Sequence, residues 1–80
     1  MENNLQNYID VFCECFDVNK EEAKNLKYQD IDSWDSVGHM GLVAALEDMF
    51  HIEFEADDII DLSSFAKGIE ILEKYNIKMS

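Results

Sequence analysis

Eighty residues are enough for one hydrophobic core and too few for two, so the chain reads as a single domain over residues 1–80. Eighteen acidic side chains face six lysines and no arginine, and the resulting formal net charge of −12 argues against direct nucleic-acid binding, because phosphates would be repelled. Proline is absent and glycine occurs only at Gly38, Gly41 and Gly68, so helices joined by short loops are expected.

The first helix is expected from Leu5 to Phe16, where Leu5, Tyr8, Ile9, Phe12 and Phe16 recur at helical spacing and Asn3 or Asn4 can cap the start. A connection from Asp17 to Ser33 follows, with a possible turn of helix at Lys20 to Asn25; Ala23, Leu26, Tyr28 and Ile31 can tie it to the core. The second long helix runs from Ser36 to Phe50, with Asp35 as its N-cap. Glu53 to Ala56 reads as extended, and Asp57 to Ile60 as one or two helical turns. Ser63 or Ser64 can cap a last helix, Phe65 to Tyr75, striped by Phe65, Ile69 and Leu72. The sum is an all-α domain, a small four-helix bundle of three main helices plus one short helix.

The charge is distributed unevenly. Between Lys27 and Lys67 lie ten acids and no lysine or arginine, only His39 and His51. Such a run is either a solvated surface or a face that meets basic patches on partner proteins. Cys13 and Cys15 are too close in sequence to bridge across a helix and suggest a reducing compartment, with Cys13 acting as a small core side chain. No apolar run approaches the ~18–20 residues that a membrane span requires, and no leader pattern is visible, so a cytoplasmic protein is expected.

The helix from Ser36 carries two apolar stripes. Leu42, Leu46, Met49 and Phe50, with Val43 and Ala45 beside them, are expected to face the core. Val37, Met40 and Ala44 form a second stripe beside Glu47 and Asp48, which either widens the core face or docks a partner. At the start of this helix the Ser36 hydroxyl is expected to be exposed. Free amide hydrogens and the positive end of the helix dipole there suit a phosphate-linked group.

Trp34-Asp35-Ser36-Val37, followed by His39-Met40, Leu42-Val43, Leu46-Glu47, Phe50 and Ile52, resembles the signature and downstream helix of the acyl carrier protein family. Ile59, Leu62, Ser64-Phe65 and Ile69 extend the resemblance over essentially the whole chain. It implies a four-helix bundle that is not itself an enzyme. Ser36 would receive 4′-phosphopantetheine from coenzyme A through a phosphopantetheinyl transferase, with Asp35 as its neighbour. Val37, Met40, Ala44, Glu47 and Asp48 would form the recognition surface for acyl-loading and acyl-transferring enzymes with basic docking patches, and the protein would act as a monomer. Val37 departs from the family's commoner Leu, and Gly38 and Gly41 from better helix formers. The Trp-Asp-Ser-Val-Gly-His-Met run is more similar to free-standing carriers of specialised pathways than to the carrier of fatty acid biosynthesis.

Other readings compete. An aminoacyl or peptidyl carrier shares the same signature, and an acidic helical interaction module with no prosthetic group shares the same composition. A hydrolase built on Ser36 and His39 lacks a glycine-framed nucleophile elbow and a second acid aimed at the histidine, so a surface His39 is expected. No metal site is expected. Counted from Asp30, a calcium loop would need Gly where Asp35 stands and Glu where Gly41 stands, and Cys13, Cys15, His39 and His51 lack zinc-ligand spacing.

Overall fold

In the computed structural model, which describes residues 3–79, the Asn3 side chain accepts a hydrogen bond from the Gln6 amide and starts α1 (Asn4–Phe16). The helix buries Tyr8, Ile9, Val11, Phe12 and Phe16 and stops at Asp17, whose φ of 53° is left-handed. α2 (Lys20–Lys24) follows, begun by a capping box in which Asn19 and Glu22 satisfy each other's amides. α3 (Ser36–Phe50) is capped by Asp35, α4 (Ala56–Asp61) has two acids in its first turn, and α5 (Phe65–Lys74) is capped by Ser64. The described residues therefore form an all-α fold of five helices with two short ones, not the single short one expected. The second short element is α2, which falls where the sequence offers a turn of helix at Lys20 to Asn25: its capping box offsets the entropic cost of so brief a helix.

The connection before α3 is pinned. Tyr28 donates its amide to the Ser63 carbonyl, and Phe65 donates to the carbonyl of Leu26, so residues 26–28 lie against the start of α5. Trp34 then enters the core completely buried. Phe12 is the hub of an aromatic cluster, with ring centroids 4.9 Å from Tyr8, 5.8 Å from Phe16, 5.5 Å from Trp34 and 5.1 Å from Phe65. Leu42, Leu46, Leu62 and Leu72 complete the buried centre. Cys13 is half-buried against this cluster.

Burial corrects the expected assignment of stripes on α3. Leu42, Val43 and Leu46 are buried, but Met49, expected in the core, is 41% exposed. The other stripe lies outside the core: Val37 is 81% and Met40 53% exposed, and Ala44 is exposed too. The core side of α3 is narrower than periodicity suggested: Leu42, Val43 and Leu46 are buried, and Ala45 and Phe50 are half-buried against the core. No helix among the described residues is long and apolar enough to cross a membrane.

One acid of the crowded segment is paired. Asp58 is buried, accepting from the Lys74 ammonium at 2.5 Å and from the Tyr75 hydroxyl at 2.5 Å, which joins α4 to the end of α5. Lys74 first, then Tyr75, holds the Asp58 carboxyl below its ordinary range, against the opposing effect of burial. A carboxyl lowered on folding stabilises the fold above its unfolded value of about 3.9 and ceases to do so as pH falls through the folded value. Urea midpoints should thus be flat with respect to this group near neutrality and decline below about pH 4. Asp58→Asn should start lower at neutral pH and show a shallower acid decline; parallel curves would mean that the clamp does not stabilise the fold.

Candidate functional site

Asp35 and Ser36 stand at the exposed N-terminal end of α3. The Asp35 carboxylate accepts from the Gly38 amide at 2.8 Å, and the Asp35 carbonyl accepts from the His39 amide at 2.7 Å. The amides of Ser36 and Val37 precede the first intrahelical donor, the His39 amide, and are left for solvent or ligand. The Ser36 hydroxyl is exposed and lies 3.4 Å from the Tyr28 hydroxyl. Tyr28 is a neighbour that sequence reasoning placed only as a core tether; eight residues separate it from Ser36, and no local pattern signals the contact.

Gly38 explains how the preceding segment can sit so close. A Cβ at this position would lie 1.9 Å from the Ser33 carbonyl oxygen, so the backbone before Trp34 rests directly on the first turn of α3. At Gly41 a Cβ would meet nothing within 4 Å. The two substitutions should therefore diverge. Gly41→Ala should raise stability by about 0.5–1 kcal/mol through helix propensity, whereas Gly38→Ala should cost roughly 1–3 kcal/mol through overpacking. Thermal melts of both variants test this, and a Gly38→Ala chain as stable as its parent would refute the close approach.

His39 is not the surface residue expected. It is half-buried, its Nδ1 accepts from the Trp34 indole N–H at 3.0 Å, and its Nε2 lies 2.7 Å from the Ile59 carbonyl oxygen. The burial of Trp34 supplies the reason: an indole N–H taken out of water needs an acceptor, and His39 on the first turns of α3 is in reach. Beyond this bridge a pocket of about 230 Å³ opens between the connection, α3 and α4, lined by Tyr28, His39, Ile59, Ile60, Leu62 and Ser63. Ile60 is 77% exposed beside it. Both Tyr28 and His39 belong to the pocket wall, so the pocket adjoins the helix end that carries Ser36.

Of the residues expected to meet partners, Val37, Met40, Ala44 and Asp48 are exposed on α3. Glu47 differs. It is half-buried, and its carboxylate accepts from the Phe54 amide at 2.9 Å, which secures the segment after the helix. Its position beside the apolar stripe concealed this structural bond, which reaches seven residues ahead. No group of three or more His, Cys, Asp or Glu side chains that could hold a metal ion occurs among the described residues.

No family model matches this chain, and no curated protein or solved structure matches it.

Proposed function

We propose that this chain is an acyl carrier protein, with Ser36 as the attachment point of a 4′-phosphopantetheine group. The observation that carries this reading is the exposed Ser36 hydroxyl at the capped start of α3, adjoining a largely apolar pocket. The residues present fit the group. The free amides of Ser36 and Val37 and the helix dipole favour a phosphodiester. The nearest acid in sequence, Asp35, has a carboxylate oxygen engaged by Gly38, which moderates its repulsion of a phosphate. When bound, the group supplies a thiol that holds an acyl chain as a thioester.

The chain's own residues then present that cargo. Val37, Met40 and Ala44 offer an apolar face, and Asp48 supplies negative charge for partner enzymes with basic patches, where electrostatic attraction sets encounter rate and register. Glu47 contributes charge but also holds Phe54. In this reading the four helices that the resemblance implies would be α1, α3, α4 and α5, with α2 an additional short helix in the connection. Among carriers, a free-standing member of a specialised pathway is the preferred reading, with aminoacyl or peptidyl cargo as the alternative.

The test is intact-mass measurement after incubation with coenzyme A, magnesium and a broad-specificity phosphopantetheinyl transferase. One added phosphopantetheine mass is expected. An unchanged mass would favour an unmodified interaction module, whose partners would use the exposed Val37, Met40 and Ile60 alone.

A further inference from the structure

The hydrogen bonds at His39 fix its chemical state. The Trp34 indole nitrogen can only donate, so Nδ1 of His39 must be an acceptor without a proton. The Ile59 carbonyl can only accept, so Nε2 must carry the hydrogen. The ring planes of Trp34 and His39 are nearly parallel, at 16° with centroids 6.2 Å apart, an arrangement compatible with an N–H···N bond between ring edges. This bridge links three elements: the connection through Trp34, α3 through His39, and α4 through Ile59, twenty residues away.

We infer that His39 is a proton-sensitive latch: neutral, it ties Trp34 to α4 beside Ser36, and taking up a proton at Nδ1 it releases Trp34. An imidazolium presents hydrogens on both nitrogens. Two N–H groups would then face each other across 3.0 Å with no acceptor between them. The other contacts tolerate the charge. The Ile59 carbonyl still accepts from Nε2, and the Tyr28 ring, at a centroid distance of 5.5 Å, is a neutral aromatic neighbour. The conflict is therefore confined to Trp34.

Among the described residues no acid forms a hydrogen bond or ion pair with His39 that would compensate for it. On α4, Asp58 is engaged by Lys74 and Tyr75, Asp57 and Asp61 are exposed, and none forms an ion pair with His39 among the described residues. On α3's own start the Asp35 carboxylate is turned to the Gly38 amide, and in the connection Asp30 accepts from the Lys27 amide. Asp32 of the connection is exposed, and the Tyr28 hydroxyl, a further titratable group, stands near Ser36. Trp34 directly precedes Asp35 and Ser36, so its release loosens the segment leading into the attachment position. The latch itself stands without the carrier reading; only its meaning for cargo presentation rests on it.

Histidine exchanges its proton between neutral and mildly acidic pH, whereas ordinary carboxylates stay largely ionised above about pH 5.5. The test is a nitrogen-15 and proton NMR titration of the unmodified chain from pH 8 to 5.5. It follows both His39 ring nitrogens and the indole N–H of Trp34, the chain's one tryptophan. At pH 8 His39 should be the Nε2–H tautomer, and on acidification the indole N–H signal should move together with the His39 nitrogens. His39→Phe should remove the indole transition altogether, while His51→Gln should leave it in place. A Nδ1–H tautomer at pH 8, or an indole signal that stays constant across this range, overturns the latch. Should His39→Phe fail to fold, the wild-type titration decides alone. Because no modification of Ser36 enters the measurement, its failure is distinguishable from failure of the carrier reading.

Discussion

The Ser36→Ala chain will take up no phosphopantetheine under conditions in which the parent gains one. Three other serines among the described residues could compete, and each has a reason to fail. Ser33 is exposed, but its carbonyl is packed against the first turn of α3 and it lies outside the helix, where no free amides converge. The Ser64 hydroxyl caps α5 by accepting from the Lys67 amide at 3.0 Å. Ser63 lines the pocket, yet its carbonyl is bound to the Tyr28 amide and it precedes the cap instead of following it. Among the described serines only Ser36 combines an exposed hydroxyl with a position inside the first turn of a long helix. The alanine variant should retain the parent's fold, since the hydroxyl's one described contact is the 3.4 Å approach to Tyr28. Mass addition to the alanine variant, with Ser33 as the site, would relocate the function; addition to neither chain would remove it.

Gly68→Ala is expected to be strongly destabilising. A Cβ at Gly68 would lie 2.0 Å from the Tyr8 hydroxyl oxygen and 2.9 Å from a Leu62 methyl, both on fully or almost fully buried side chains. Tyr8 has no room to retreat. Its hydroxyl donates to the Phe65 carbonyl at 2.6 Å, and its ring is held 4.9 Å from Phe12 and 4.7 Å from Phe65. The same burial pushes titration of that hydroxyl above the usual tyrosine range, so it remains a donor at any working pH. Overpacking of about 1–3 kcal/mol, plus about 1–3 kcal/mol if the buried bond is lost, would consume much of the margin of so small a domain. Removing the obstructing oxygen supplies the control. Tyr8→Phe alone should cost about 0.5–1.5 kcal/mol, and the double variant should be more stable than the sum of the two single costs implies. Strict additivity in urea unfolding would show that α1 and α5 do not meet through this contact.

Several features of the site left no trace in the linear order of residues. The Asp35 cap, the exposed position of Ser36 and the boundaries of α3 were legible, because a cap is a bond between residues three apart and needs no tertiary information. For α1 and α5 the sequence offered Asn3 or Asn4 and Ser63 or Ser64, and the structure selects Asn3 and Ser64. His39 was not legible. Its spacing from Ser36 invited comparison with a catalytic pair, yet its partners are a buried indole and a backbone carbonyl on another helix. Glu47 and Asp48 are adjacent acids, and only the chain's return at Phe54 separates the structural one from the free one.

By itself, then, the sequence determined the helical elements, their caps, the acidic surface and the helix start at Ser36, since all of these rest on composition and on contacts within about one helical turn. The tertiary structure decided what depends on how helices are rotated and placed against one another. It exposed Met49 where periodicity buried it, and left Val37 and Met40 outside the core. It paired Asp58 with Lys74 and Tyr75 at the end of α5, and made Gly38 and Gly68, but not Gly41, points of close approach. Helical periodicity marks a face that can be buried. Which part of that face is covered depends on packing partners distant in sequence, such as Tyr8 and Phe65, which are 57 residues apart.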